Sequence, residues 1–171
     1  MAEENQNTAA PEQAQPVFQL VRSYLKDASL EMPHAPEIFL VQPTEQPNVD
    51  IQFEVNQTAL SIPDTYEIVV RGTITVKMKS EDKEMVMFLA EARQAGIFEM
   101  KNLPAEALQH LANVNCPAIV YPYLRANLAD IITRTGLPPV HMPEVSFEGL
   151  YQQRLAQANE QAAEQAKAGQ A

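Results

Sequence analysis

Two stretches of alternating apolar and polar residues fix the kind of layer this chain can build. From Val49 to Asn56, Val49, Ile51, Phe53 and Val55 alternate with Asp50, Gln52, Glu54 and Asn56. From Thr65 to Lys79, Tyr66, Ile68, Val70, Ile74, Val76 and Met78 alternate with Glu67, Arg71, Thr73, Thr75 and Lys77. A period of two sends successive side chains to opposite faces of a pleated ribbon, so both stretches predict half-buried strands. Ser80 to Lys83 reads as a polar hairpin turn. Glu84 to Ala95 then predicts a strand apolar on both faces, with Val86, Phe88 and Ala90 on one and Met85, Met87 and Leu89 on the other. Such a strand is covered on both sides or belongs to an interface. Val17 to Asp27, rich in Val, Phe, Leu and Tyr, predicts a further strand. Short connections make the sheet antiparallel.

Between the first two strands lies LEMPHAPEIFLVQPTEQP, whose four prolines forbid regular helix. It is a long crossing loop, and long ordered loops are commonly functional. Helices follow the sheet. Pro104 to Asn113 predicts a short one with Leu108 and Leu111 inward. The main helix is expected to start near Pro122. Leu124, Leu128, Ile131, Ile132 and Thr135 share its inner face, Gly136 stops it, and Pro138 and Pro139 prevent resumption. Ser146 can cap a last helix bearing Phe147, Leu150, Tyr151 and Leu155, without the acidic partner of a capping box. Strands first and helices afterwards give an α+β class.

The chain has 171 residues, enough for one domain with a real core. Residues 1–16 are polar and acidic, and residues 156–171 are an Ala/Gln-rich, low-complexity run. Both are expected to be mobile tails, with the folded domain over 17–155. The start carries no basic, apolar signal segment, and no run approaches the length of a membrane span. A cytoplasmic protein without membrane insertion is expected. The net charge of −10 repels phosphate backbones, so nucleic acid is not the expected partner, whereas a basic protein surface would be attracted.

Catalytic signals are weak. His34, His110 and His141 lie at no metal-ligand spacing from one another or from Cys116, so no metal site is expected. Cys116, the single cysteine, sits in an apolar setting beside Pro117 and reads as an inert buried thiol, an enzyme or small-ligand domain using it remaining the outlying alternative. Few glycines leave no phosphate-cradling loop. The charges Glu81, Asp82 and Glu84 read as a solvated turn. What stands out is surplus apolar surface: Met85, Met87, Leu89 and the run Ile38-Phe39-Leu40-Val41. Singly they read as core or as a homo-oligomer interface. As a set, adaptable Met and aromatic side chains also suit a binding surface.

Three motifs then appear in order: FQLVRSYLKDASLEMPHAP at 18–36, FLAEARQAGIF at 88–98, and CPAIVYPYLR at 116–125, continued by LPPVHMPEVSF at 137–147. On these the chain resembles the SecB family of bacterial protein-export chaperones, over roughly residues 17–155. The resemblance implies a four-stranded antiparallel sheet with helices on one face and a crossover between strands one and two. It implies a homotetramer, a dimer of dimers, with no cofactor and no enzymatic activity. Its expected function is ATP-independent holding of unfolded precursor proteins and their delivery to the SecA motor. A same-fold holdase serving another system, such as toxin–antitoxin control, is the alternative.

By position, the resemblance puts client binding at Phe39, Val49, Ile51, Phe53, Tyr121 and Tyr123, flanked by a lid helix with Phe147, Leu150 and Tyr151. It puts SecA binding at Asp27, Glu31, Leu89 and Glu91, on the exposed sheet face. The alternation of Val49, Ile51 and Phe53 equally fits an ordinary sheet core.

Overall fold

A computed structural model describes residues 15–80 and 83–168. The four strands are β1 (Val17–Glu31), β2 (Asn48–Ala59), β3 (Thr65–Ser80) and β4 (Lys83–Lys101). They form one sheet in the order β1-β4-β3-β2, with every neighbouring pair antiparallel. The chain therefore leaves β1 at one edge and enters β2 at the other, through the long proline-bearing loop. That loop is tied down by buried Ile38, by His34 Nδ1 at 3.0 Å from the Val86 carbonyl oxygen, and by the Thr44 amide donating to the Lys79 carbonyl. The helices are α1 (Ala105–His110), α2 (Cys116–Thr133) and α3 (Phe147–Ala168), with a π-helical turn over Leu111–Asn115 joining the first two. The class is α+β. The expected 1–16 tail lies almost wholly outside the described residues, as do Glu81 and Asp82 of the expected turn.

The alternation sorts the faces as the pattern requires. Ile68, Val70, Ile74 and Val76 of β3 are buried beneath α2, together with Phe88, Ala90, Ala92 and Phe98 of β4. Gly72 and Gly96 make the trough in which α2 lies. A Cβ on Gly72 would come within 2.9 Å of Leu128, and one on Gly96 within 2.9 Å of Val120. The inner face read from the sequence is the one that packs, since Leu124, Leu128 and Ile132 are all fully buried.

Three expectations are corrected. First, β4 runs on from Ala95 to Lys101. Gly96 is not its end, because the residue is needed where α2 comes close. Second, the faces of β4 near its start are not those of simple alternation. Val76 pairs with Phe88 but Lys77 pairs with Val86, so Met87 is an extra residue at a bulge. A one-residue slip exchanges the two faces. Met85 consequently lies opposite Met78, and Val86 opposite Lys77. Third, α2 begins at Cys116 and follows the π turn without a break, rather than starting near Pro122. Pro117 falls where the π turn passes into α2, a place where the regular hydrogen-bond ladder is already shifted. Pro122 stays inside the helix on its exposed side, where water can satisfy the carbonyl it leaves free.

The later boundaries follow the turn chemistry. Gly136, at φ +81°, closes the end of α2. The Ser146 hydroxyl accepts from the Gly149 amide at 3.1 Å and caps α3. Helix α3 continues through the Ala/Gln-rich stretch to Ala168.

Candidate functional site

Phe53 of β2, Tyr121 of α2 and Phe147 at the start of α3 meet in an aromatic cluster. Ring centroids lie 6.2 Å apart for Phe53–Tyr121, 6.2 Å for Phe53–Phe147 and 5.5 Å for Tyr121–Phe147, the contacts to Phe147 being edge-on. Edge-to-face packing suits the charge distribution of aromatic rings and adds to the apolar burial. Tyr121 and Phe147 are nearly closed off, at 4% and 5% exposure. Phe53 is half-buried and faces an open groove of about 390 Å³. Pro143, Val145 and Leu150 complete its apolar lining, with Glu144 and Gln153 at the rim.

The expected client residues separate into groups. Phe53 and Leu150 line this groove, and Tyr121 and Phe147 pack against Phe53 beneath it. Val49 and Ile51 lie on the same side of β2 as Phe53, in register with Val76 and Ile74, so they extend an apolar row along the free edge of the sheet. Tyr151 turns toward α1 instead, stacking edge-on against His110 at 5.6 Å, while His110 Nε2 lies 2.7 Å from Glu148. Tyr123 is 51% exposed, since two residues along a helix is a rotation of about 200° from Tyr121. Phe39 ends the short 3-10 turn of the crossing loop and is 52% exposed beside buried Ile38. Neither Tyr123 nor Phe39 lines the groove. Pro143 and Val145 do line it, and the sequence alone does not single them out. Their one signal is the proline-rich, nearly uncharged connector in which they sit.

The open face of the sheet carries the other set. Asp27 pairs in register with Arg93, Ser29 with Glu91 and Glu31 with Leu89, so Asp27, Glu31, Leu89 and Glu91 share one patch on β1 and β4. Glu91 accepts from Arg71 at 2.6 Å and lies 3.5 Å from Arg93. The Arg71 guanidinium holds its carboxyl below the usual range, against the opposing effect of burial. Beside it Glu67 takes the Lys26 ammonium at 2.8 Å and the Tyr24 hydroxyl. Lys26 and then Tyr24 lower the Glu67 carboxyl, and the same contact pushes the Tyr24 phenol up to about 12. Asp27 and Glu31 carry no ion pair among the described residues. The patch is thus a lattice of paired charges with free acids at the β1 edge, not a uniformly acidic surface.

Cys116 is fully buried with its Sγ 4.0 Å from Met100 Sδ, and burial pushes the thiol up to about 12. That is the opposite of what a nucleophilic thiol requires. Among the described residues no helix is long and apolar enough to cross a membrane.

The family model for preprotein translocase subunit SecB matches residues 11–158. A protein-export protein SecB of Burkholderia mallei is 50% identical over 147 residues, covering 86% of this chain and 88% of that protein. Its counterpart in Burkholderia vietnamiensis is 49% identical over 148 residues, covering 86% and 89%. Among solved structures, a Mycobacterium tuberculosis SecB-like chaperone in complex with a peptide from an antitoxin superposes with a TM-score of 0.59 at 18% identity. That superposition covers 75% of this chain and 91% of the other, and at such identity it speaks to the fold.

Proposed function

The chain belongs to the SecB family, a family of protein-export chaperones, and from that premise we propose how its two surfaces divide the work. The groove over Phe53, Tyr121 and Phe147 takes apolar segments of unfolded precursor proteins. The open sheet face, through Asp27, Glu31, Leu89 and Glu91, is the docking surface for the SecA motor.

The observation that carries this reading is the aromatic cluster under an open apolar groove. An unfolded precursor exposes apolar side chains that its native fold would hide. Burying each large one contributes about 1.5–3 kcal/mol. Contacts along Val49, Ile51 and Phe53 combine by multivalency even when each is weak. A protein that binds the unfolded state and spares the native one holds back folding by mass action, with no nucleotide required.

Assembly into a homotetramer, a dimer of dimers, is part of the same proposal. Strand β1 is a sheet edge, and Phe18, Val21 and Leu25 along it are exposed. An open edge with apolar side chains is a template for pairing with another chain. The chaperone operates in the cytoplasm, where its clients emerge unfolded, and performs no catalysis of its own.

Purified protein should slow the refolding of a destabilised secretory precursor at stoichiometric amounts, as read by the recovery of native fluorescence. The absence of any delay across several precursors would sink the proposal. A holdase of the same fold serving toxin–antitoxin control is told apart by titration against SecA. Half-identity to export proteins leads us to expect a complex there.

A further inference from the structure

One wall of the groove is neither helix nor strand. It is the strap 137–146, which crosses from the end of α2 to the cap of α3. Its anchor is Met142, 1% exposed and seated against Gly72, where an added Cβ would lie 3.0 Å from the Met142 sulfur. Beyond the anchor, Pro143, Glu144 and Val145 are the strap residues that line the groove.

Two side chains on successive turns of α2 reach out to this stretch. The Tyr121 hydroxyl donates to the Pro143 carbonyl oxygen at 2.7 Å. Arg125, four residues on, forms an ion pair with Glu144. The Tyr121 ring, at 4% exposure, lies packed against Phe53 and Phe147 and offers almost no surface to a client. Its polar end nevertheless reaches the groove wall. Ser146, the next residue after Val145, caps α3, so a displaced strap would carry the first turn of that helix with it.

We propose that Tyr121 and Arg125 are positioning residues: they hang the strap from α2, fix its distance from Phe53, and so decide which apolar side chains the groove admits. Neither acts by touching the client. The inference rests on the groove being the client site, and it adds to that reading a determinant of client selection. It also assigns Tyr121 a role different from the direct contact expected of it.

The test uses full-length protein and fluorescent peptides that are identical except for Leu, Phe or naphthylalanine at the centre. Wild type should rank them by size. Tyr121→Phe keeps the ring and removes the tie, so the ratio of naphthylalanine to Leu affinity should shift by about threefold to tenfold, the range expected of one hydrogen bond. Melting temperature and oligomeric mass should be retained. Arg125→Glu and Glu144→Arg should each shift the ratio by about twofold, as for an exposed pair, and the double exchange should restore it. That restoration carries the test if Tyr121→Phe fails to fold. If wild type binds no peptide, the client-site reading itself falls. If wild type binds but the size ranking survives in every variant, the strap inference is overturned. It is equally overturned if affinity for all peptides falls in parallel with the melting temperature, because that marks a purely structural role.

Discussion

The helix-covered face of the sheet presents Ile68, Val70, Ile74 and Phe88, all buried, whereas the open face presents Glu67, Arg71, Glu91 and Arg93, paired with one another or with Lys26. Both faces come from the same strands, one residue apart. The covered face gains its stability from area removed from water, which charge screening does not weaken. The open face gains little from its exposed pairs, but their arrangement sets what can dock there. The groove belongs to the first kind of surface, since it opens where the covered face runs out at β2 and α3. The proposed binding of greasy, varied segments would therefore be continuous with the core. On the proposed reading, recognition of a folded partner would fall to the lattice of charges on the other side.

The largest effect should come from cutting into the covered face. Leu128→Ala removes a fully buried side chain that packs over Gly72, and should cost about 2–5 kcal/mol in urea unfolding. A cost below about 1 kcal/mol would mean that α2 is not seated in its glycine trough. Phe147→Ala strikes where core becomes groove, removing the ring that touches both Phe53 and Tyr121. Affinity for an unfolded precursor should fall about tenfold, because Phe53 loses the ring that backs it at the floor of the groove. If client affinity is unchanged while the protein remains folded, the groove is not where clients bind.

Next in size is a change on the open face. Glu91→Lys would set a third cation beside Arg71 and Arg93, now paired through that carboxylate. Binding to SecA, followed by calorimetry, should weaken by about tenfold, and client capture should persist. Equal loss of both activities would collapse the distinction between the faces. An untouched SecA affinity would remove Glu91 from the docking surface.

The strands are legible in the sequence because a period of two is a local signal, readable from Val49 to Asn56 without knowing any partner. The bulge at Met87 is not, because a bulge is defined by the opposite strand, here the step from Val76 to Lys77. The helix start expected near Pro122 makes that proline a first-turn residue, yet α2 runs through it because Val120, Leu124 and Leu128 gain more by packing into the sheet than the missing bond loses. In the groove, the aromatic positions Phe53, Tyr121 and Phe147 follow from the family resemblance alone. The separation of Tyr123 from Tyr121 follows from helix register, which a helix start expected near Pro122 obscures. The tie between Arg125 and Glu144 spans a chain reversal and has no signature in either segment alone.

The smallest effect lies in the pair of titrations that Glu67 joins. Its carboxyl is lowered in the folded protein by Lys26 and by Tyr24, so the unfolded chain takes up a proton first as pH falls. The stabilisation is complete above the ordinary carboxylate range, near pH 4–5, and is lost as pH drops through the lowered value. Tyr24 behaves in the opposite sense. Its phenol rises from 10.0 to about 12, chiefly because it donates to Glu67, so its contribution is complete below pH 10 and is lost between there and pH 12. One cluster thus adds curvature at both ends of the stability profile. Glu67→Gln should flatten part of the acid limb and the alkaline limb together, in urea midpoints measured from pH 3 to 11. The acid limb will not vanish, because Glu91 is lowered in the same way by Arg71. Tyr24→Phe should flatten the alkaline limb and leave most of the acid one, since Lys26 still holds the carboxylate. Profiles that stay parallel to wild type would show that the open face adds no measurable stability, and that its paired charges serve docking alone.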